Sequence, residues 1–284
     1  MTNRNFRRYL GGQWLSMMGM WMQSTAAAWL IYDLTSSPMA IGVYSAISLG
    51  PVLAFGAYGG LLVDRLPRLR LLAITQSLLM LGAVGLVVIT MMPRTPTVWV
   101  YAIGFFKGCV TAVDNPLRRA VVRELVSDDE LPNAIALNST AATVARTIGP
   151  ALGGVTIAAL GVTWNFGLNG LSYAAVLVSL AFIDRSQLRD TTPTPRGRRQ
   201  IRAGLSYTVA NDRIWSILVI ATVVGTFAWN YGVLMPVYAT QTFDGGPSMY
   251  GILLATVGAG AFVGAILSAR AEVRGQMEMI KTVD

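Results

Sequence analysis

The stretch "TVARTIGPALGG", residues 143–154, decides the fold, because it holds a single charge, Arg146, among apolar and small residues. Outward from this stretch, no other charged residue occurs between Leu131 and Ile183. A helix needs about 20 residues to cross a bilayer, and "LGVTWN", residues 160–165, offers a break inside this longer segment. We therefore predict two membrane-spanning helices here, the first of which contains Arg146.

The rest of the chain repeats this alternation of long apolar and short charged segments. An apolar segment from Thr97 to Val113 contains Lys107, and five other segments have no charge at all: residues 9–32, 34–63, 71–93, 214–243 and 245–269. Hydrophobic residues make up 54% of the chain and charged residues 13%, whereas a soluble domain has roughly a quarter charged. These features predict an all-α, polytopic membrane protein with eight spanning helices.

The basic residues lie on one side of this predicted topology. With a cytoplasmic amino terminus, all but three of the 22 Lys and Arg residues fall in cytoplasmic segments. The exceptions are Arg94, in an outer loop, and Lys107 and Arg146, within helices. This asymmetry is the positive-inside pattern of membrane proteins. It predicts a multi-pass protein with both termini cytoplasmic, and it makes the net charge of +8 a topology signal rather than a nucleic-acid footprint.

Few residues that support catalysis or metal binding are present. The chain has one cysteine, Cys109, and no histidine, which excludes an internal disulfide and any His-based metal site or proton relay. No constellation of nucleophile, base and metal ligands appears either. We expect no cofactor, no metal site and no catalytic residues, and therefore no enzymatic function.

A polar segment rich in Pro and Arg, "DRSQLRDTTPTPRGRRQIRAG" at residues 184–204, divides the chain. It predicts three parts: a six-helix bundle over residues 1–183, a cytoplasmic linker over 184–212, and two further helices with a cytoplasmic tail over 213–284. A weak repeat crosses the linker, because Pro38, Gly42 and Arg65 recur 209 residues later. Such repeats are typical of transporters built from two related halves.

Two helix starts carry recognisable signals. Ser37 before Pro38 predicts a cap with proline at the first helical position, and Ser127 with Glu130 predicts a capping box.

Two motifs carry a resemblance to a known family. "GLLVDRLPRLRLL", residues 60–72, is similar to the cytoplasmic loop motif of the major facilitator superfamily, and "GPALGG", with Gly149, Pro150, Gly153 and Gly154, is similar to the motif of its drug and proton antiporters. "DNPLRRAVVRELV" at 114–126 and "ELPNAIALNS" at 130–139 resemble the macrolide-efflux and enterobactin-exporter-like branch. Pro67 and Ala145 stand where these motifs usually have glycine.

The resemblance implies a partial twelve-helix major facilitator fold. The chain would supply the amino-terminal six-helix bundle and the first two helices of the second bundle, and would be truncated after the eighth helix. The implied function is secondary active export of small amphipathic molecules, of drug or siderophore type, by alternating access driven by protons. The implied setting is the bacterial inner membrane, with a monomer when full length. The alternative is a truncated, non-transporting membrane fragment or scaffold.

Arg146 is the first candidate for a binding residue. A charge at mid-membrane costs at least about 2.5–3.5 kcal/mol, so we expect its guanidinium to face a hydrated cavity, or else to tie helices together through carbonyls or a carboxylate. Lys107 is either a second cationic cavity group or a side chain that extends to the membrane surface. The expected cavity residues are Arg146, Asn138, Lys107, Trp21, Gln23 and Asn230, although aromatic stripes are more often packing.

By resemblance, Gly60, Asp64, Arg65, Arg68, Asp114 and Arg118 form an inner charge latch that breaks when the cavity opens inward. Asp33 and Asp114 are the candidate proton carriers, although Asp33 also suits a turn in "DLTSSP". Gly149 and Gly153, and likewise Gly260 and Gly264, are spaced four apart, which allows close helix approach. In the resembled fold the fifth and eighth helices meet, so these glycines predict either a smooth moving seam or plain helix packing.

Overall fold

The computed structural model describes residues 3–184, 186, 188, 206–228, 231–261 and 263–264, and every regular element within these ranges is helical. The all-α fold class is confirmed. The predicted linker, 184–212, lies largely outside the described residues, although its residues 206–210 are helical. The helices are α1 (Arg4–Thr35), α2 (Pro38–Val63), α3 (Arg68–Thr90), α4 (Thr97–Leu125), α5 (Leu131–Leu160), α6 (Val162–Ala181), α7 (Asp212–Ala228), α8 (Tyr231–Val237), which continues as a π-helical segment (Tyr238–Thr242), and α9 (Pro247–Ala261).

Local sequence explains where the first helices begin and end. Asn3 caps α1, because its side-chain oxygen accepts a 3.1 Å hydrogen bond from the Phe6 N–H. α1 ends before Ser36, whose φ of 50° is left-handed. Pro38 then begins α2 at the first helical position, as predicted, although Ser37 makes no side-chain cap bond.

The predicted capping box before α5 is wrong. Glu130 stands directly before the helix without a side-chain cap bond, and its backbone N–H donates to the Ser127 carbonyl at 3.2 Å. The two residues therefore close a backbone turn between α4 and α5 instead of capping the helix.

The six long helices alternate in direction along the chain and form one bundle. α1 packs against α5 and α6, α2 packs against α4, and α3 packs against both α4 and α6. The start of α1, the α2–α3 and α4–α5 loops and the end of α6 share one end, which we call the basic end because Arg8, Arg68 and Arg123 lie there. Across it, the Arg8 guanidinium donates to the Phe182 carbonyl at 2.5 Å. The other end is called the opposite end.

Each end of the bundle has its own hydrophobic core. At the basic end, Phe6, Leu72 and Leu117 are fully buried among their neighbours. At the opposite end, residues 26–32 of α1 pack with the α9 residue Tyr250. Helix α9 is thus attached to the bundle at the opposite end.

Three of the described helices, α2, α3 and α5, are long and apolar enough to cross a membrane by length and composition alone. The sequence predicts more spans, and for α1, α4 and α6 the difference has a structural reason. α1, α4 and α6 have 32, 29 and 20 residues, and apart from Thr75 and Gln76 they carry all the buried polar side chains of the described chain. These side chains lower the mean hydropathy of the helices while facing neighbouring helices.

Candidate functional site

A half-open cavity of about 270 Å³ lies between α1, α4 and α5. α1 contributes an apolar wall, and α4 and α5 contribute the polar groups. The lining residues are Met17, Met20, Trp21, Asn115, Arg118, Ala142, Thr143 and Arg146. The structure therefore puts Arg146, the lone charge of its segment, on the wall of a half-open cavity, where its side chain is exposed.

Asp114, beside this cavity, holds Arg118 in place. Asp114 is only 2% exposed. Its Oδ2 accepts a hydrogen bond from Nε of Arg118, which lies one helical turn further along α4, and the two form an ion pair. Its Oδ1 accepts from the Thr75 hydroxyl at 2.7 Å and from Nε2 of Gln76 at 2.8 Å. The carboxylate thus accepts hydrogen bonds from three side chains on α3 and α4, and a buried charge of this kind needs such partners.

Arg118 has a further partner on α1. The Gln13 side chain is fully buried, and with its amide oxygen turned toward α4 it accepts from the Arg118 guanidinium. The Tyr9 hydroxyl also donates to the Arg118 carbonyl at 3.3 Å. Gln13 and Asp114 thus hold the Arg118 guanidinium from two helices, and Arg118 lines the cavity.

Two glycines of α5 bring that helix close to α1. A Cβ built on Gly149 would lie 2.6 Å from Cβ of Trp21, and one built on Gly153 would lie 3.1 Å from Cα of Met22. A larger residue at either place would push the helices apart, so small residues are needed for this packing. The close approach keeps Trp21 and Arg146 on adjoining walls of one cavity.

The opposite end is filled by contacts that we call the end seal, formed by Thr25, Trp29, Tyr32, Gly154, Thr240, Tyr250 and Gly251. The rings of Trp29 and Tyr250 stack with centroids 5.2 Å apart, and the Tyr250 hydroxyl donates to the Thr25 carbonyl at 3.3 Å. The hydroxyls of Thr240 and Tyr32 are 2.9 Å apart. Gly154 and Gly251 bring α5 and α9 into backbone contact. The cavity lies on the basic-end side of this seal.

Residues 1–283 match the sequence profile of the family described as "Transmembrane secretion effector", within the major facilitator superfamily. The chain belongs to this family. It is thus a member of a family of multi-pass membrane transporters, as the resemblance implied.

Two curated members of this superfamily are similar over most of the chain. Enterobactin exporter EntS of Salmonella choleraesuis (strain SC-B67) is 25% identical over 269 residues, which cover 94% of this chain and 64% of the exporter. EntS of Escherichia coli O1:K1 / APEC is 23% identical over 273 residues, which cover 95% and 64%. The chain therefore spans 64% of the length of these relatives.

Solved structures of transporters share the fold. A bacterial homologue of the human lysosomal transporter Spinster, inward-facing and unoccupied, matches with a TM-score of 0.68 and 15% identity, over 96% of this chain and 64% of that chain. The peptide transporter POT in complex with sulfate matches with a TM-score of 0.56 and 14% identity, over 84% and 49%. The predicted partial major facilitator fold is confirmed.

The residues of the predicted charge latch form two separate ion pairs in this family member. Arg68 pairs with Glu124 through an Nη1 to Oε1 bond of 2.9 Å, and Arg118 pairs with Asp114. Asp64 and Arg65 follow α2, where the Asp64 N–H donates to the Gly60 carbonyl at 3.2 Å.

The structure distributes the other predicted residues over different places. Trp21 lines the cavity with Arg146. Asn138 and Lys107 are half-buried and are not among its lining residues; they lie about 12 Å from Arg146 along α5 and about 16 Å from Arg118 along α4. Asn230 lies outside the described residues. Asp33 is exposed in the last turn of α1, and the turn itself forms at Ser36 and Ser37.

Gln23 differs from its predicted role as a cavity residue. It is 2% exposed, and its Oε1 accepts a hydrogen bond from Nδ2 of Asn169 on α6. The reason is the helix register: Gly12 and Gly19, on the same face of α1, also pack against α6, at Ser179 and at Asn169. This face of α1 belongs to the interface with α6, and the cavity lies beside it.

The glycines of α9 that contact α5 are not the predicted pair, Gly260 and Gly264. Gly260 has open space where its Cβ would lie, and so does Gly264, so neither forms a seam with α5. The contacts with α5 come instead from Gly251, at Gly154, and from Gly258, whose Cβ would lie 2.9 Å from the Thr147 carbonyl oxygen.

Asn115 and Glu124 are functional candidates that the sequence analysis misses. Asn115 lines the cavity and Glu124 partners Arg68. A signal for Asn115 exists, because it precedes Arg118 by three residues and therefore shares its helix face. Glu124 gives no such signal, since its partner lies 56 residues away.

Proposed function

We propose that this chain forms the binding cavity and end seal of an exporter of small amphipathic molecules in the bacterial inner membrane. The observation that carries the proposal is the half-open cavity between α1, α4 and α5, whose wall combines the flexible thioethers of Met17 and Met20 and the ring of Trp21 with the polar groups of Arg118 and Arg146. Methionine-rich walls adapt to varied apolar shapes. The volume, about 270 Å³, is close to the lower bound for sites that hold small organic ligands.

Export by alternating access is the mechanism that we propose for this cavity. The end seal lies beyond the cavity toward the opposite end, so the arrangement agrees with a conformer that is open toward the basic end. With the basic end in the cytoplasm, as the arginine distribution favours, this conformer would receive substrate from the cytoplasm. The likeness to a Spinster homologue solved in an inward-facing conformation supports this assignment.

Proton coupling through Asp114 is the second part of the proposal. Among the buried side chains of the described residues, Asp114 is the only acidic one. Its bond to Arg118, a cavity residue, connects it to the cavity. Protonation of Asp114 would remove the ion pair and release the Arg118 side chain. Asp33, exposed at the end of α1, has no comparable connection to the cavity and remains the alternative carrier.

Transport of amphipathic dyes by the complete reading frame that encodes this chain tests the proposal. Everted inner-membrane vesicles present the cytoplasmic side outward, so an exporter accumulates dye inside them when a proton gradient is imposed. We expect accumulation with the unaltered protein, strong loss with Arg146→Ala, and little change with Arg94→Ala, which alters an exposed loop arginine. Vesicles that accumulate none of a chemically varied dye panel would reject export and favour a scaffold role.

A further inference from the structure

We infer that the cavity selects amphipathic anions, whose acid group binds between the guanidinium groups of Arg118 and Arg146 while the apolar body lies on Met17, Met20 and Trp21. This inference rests on the proposed function and specifies its substrate class. Its starting point is the charge of the wall: two of the lining residues are arginines, and none of the lining residues is acidic.

The guanidinium group is a permanent cation in proteins. Beside a partly apolar wall the interaction between charges is stronger than in bulk water. An organic cation in this space would be repelled by both groups, whereas a carboxylate, sulfonate or phosphate would be attracted and would accept forked hydrogen bonds. The positive charge of the cavity wall therefore separates substrates by the sign of their charge.

The Asp114 carboxylate does not cancel this effect at the cavity wall. Asp114 is 2% exposed and is not a lining residue, and its oxygens are taken by Thr75, Gln76 and Arg118. In this ion pair the Asp114 carboxylate lies behind the cavity wall, and the Arg118 guanidinium lies on the wall itself. Asp114 is a positioning residue for Arg118.

The hydrogen bonds of Arg118 leave a donor for a ligand. Asp114 binds the guanidinium at Nε, and Gln13, with its amide oxygen facing Arg118, binds at Nη1 and Nε. Within the described part of the chain, no hydrogen bond uses the other terminal nitrogen, Nη2. Asn115, on the same helix face and also on the cavity wall, adds an amide that can donate to the same acid group.

A pair of fluorescent probes tests the selectivity directly. The two probes share a naphthalene ring and a short alkyl chain and differ in one group, a sulfonate in the first and a trimethylammonium in the second. Transport is measured in everted vesicles that contain the complete protein, and equilibrium binding is measured on purified protein from the fluorescence of the probe. We expect the sulfonate to be transported and bound, and the ammonium probe at least tenfold less.

Variants then assign the selectivity to the two arginines. Loss of one charge-assisted contact corresponds to roughly a tenfold to hundredfold weaker interaction, so Arg146→Gln should weaken sulfonate binding by about that factor, and Arg146→Lys, which keeps the charge, should restore part of it. Arg94→Gln removes an exposed loop arginine and should change nothing. For Arg118, the double variant Asp114→Asn/Arg118→Gln leaves no buried charge unpaired, and we expect it to lose the preference for the anion.

The outcomes separate this inference from the proposed function. Equal transport of both probes by the unaltered protein, or unchanged sulfonate binding in both the Arg146→Gln protein and the double variant, would overturn anion selectivity and leave export standing. Transport of neither probe, nor of any dye in the wider panel, would remove the exporter proposal and the inference with it.

Discussion

The contact between Gly154 of α5 and Gly251 of α9 leads to a prediction about the end seal. A Cβ built on Gly251 would lie 2.9 Å from the carbonyl carbon and oxygen of Gly154, whereas ordinary contacts begin at 3.4 Å, so Gly251→Ala has to separate the two helices by about 0.5 Å. Overpacking of this kind costs about 1–3 kcal/mol. The cost falls on the sealed conformer alone, so the ratio of sealed to unsealed protein should drop by about 5- to 150-fold.

Labelling of a cysteine inside the seal measures this ratio. Thr25 is 6% exposed and contributes its backbone carbonyl to the bond with Tyr250, so Thr25→Cys places a thiol in the seal without removing that bond. The background variant Cys109→Ser removes the native thiol. A membrane-impermeant maleimide added from the side of the opposite end should then react at least about fivefold faster when Gly251→Ala is present.

Gly260→Ala is the matched control on the same helix. It has the same intrinsic gain in helix propensity as Gly251→Ala, but a Cβ at Gly260 would meet nothing within 4 Å. Labelling rates should therefore stay at the background level. If Gly251→Ala and Gly260→Ala label at equal rates, the helix crossing does not hold the seal, and the reasoning from the close contact is refuted.

Three further substitutions test the buried polar contacts. Asn169→Ala leaves the Gln23 amide without the partner described above and should lower the free energy of unfolding by about 1–3 kcal/mol, measured by thermal unfolding of purified protein. Asp114→Asn removes the charge that compensates the buried guanidinium of Arg118 and should cost about 3–5 kcal/mol, of which Asp114→Asn/Arg118→Gln should regain a part. Tyr250→Phe removes a hydroxyl bond to the α1 backbone, worth about 1 kcal/mol, and should speed labelling of the seal about fivefold.

For each of these three predictions, one outcome would contradict the structural reason given. An unchanged unfolding temperature for Asn169→Ala would mean that water replaces the lost amide. Equal stability of the single and double variants at Asp114 would mean that the ion pair is not the reason for the cost. Labelling at the background rate in Tyr250→Phe would assign the seal to ring stacking alone, which Tyr250→Leu would then disrupt.

The sequence predicts the helical architecture because the signals for it are local. Charges end the apolar segments, and Pro38 begins α2 where its fixed φ suits a first helical turn. The charge of Arg146 also predicts its surroundings, because burial in lipid is too costly for a guanidinium and the side chain must therefore face a polar space. The structure puts this side chain on a cavity wall.

The roles of Gln23 and Lys107 could not be obtained in the same way, because they depend on which neighbour each helix face meets. On α1, Trp21 and Gln23 are two residues apart, and Trp21 meets α5 while Gln23 meets α6. Periodicity assigns residues to a face but does not identify the partner of that face. The spacing of Gly12, Gly19 and Gln23 is a usable signal after the fact, since small and polar residues at such intervals favour a close polar interface.

The polar side chains of the bundle therefore serve two different purposes, and the difference bears on how the molecule could move. Asn169 with Gln23, and Asn165 with the Gly153 carbonyl at 3.1 Å, join α1, α5 and α6 through hydrogen bonds that motion within the bundle would break. The described contact of α5 with α9 is of another kind, since it consists of glycine surfaces without a hydrogen bond between them. Sliding or separation is easier at such a surface than across bonded amides. If one half of a transporter rocks against the other, this helix pair is where the structure offers the lowest resistance, and the labelling experiment at Thr25 measures that resistance directly.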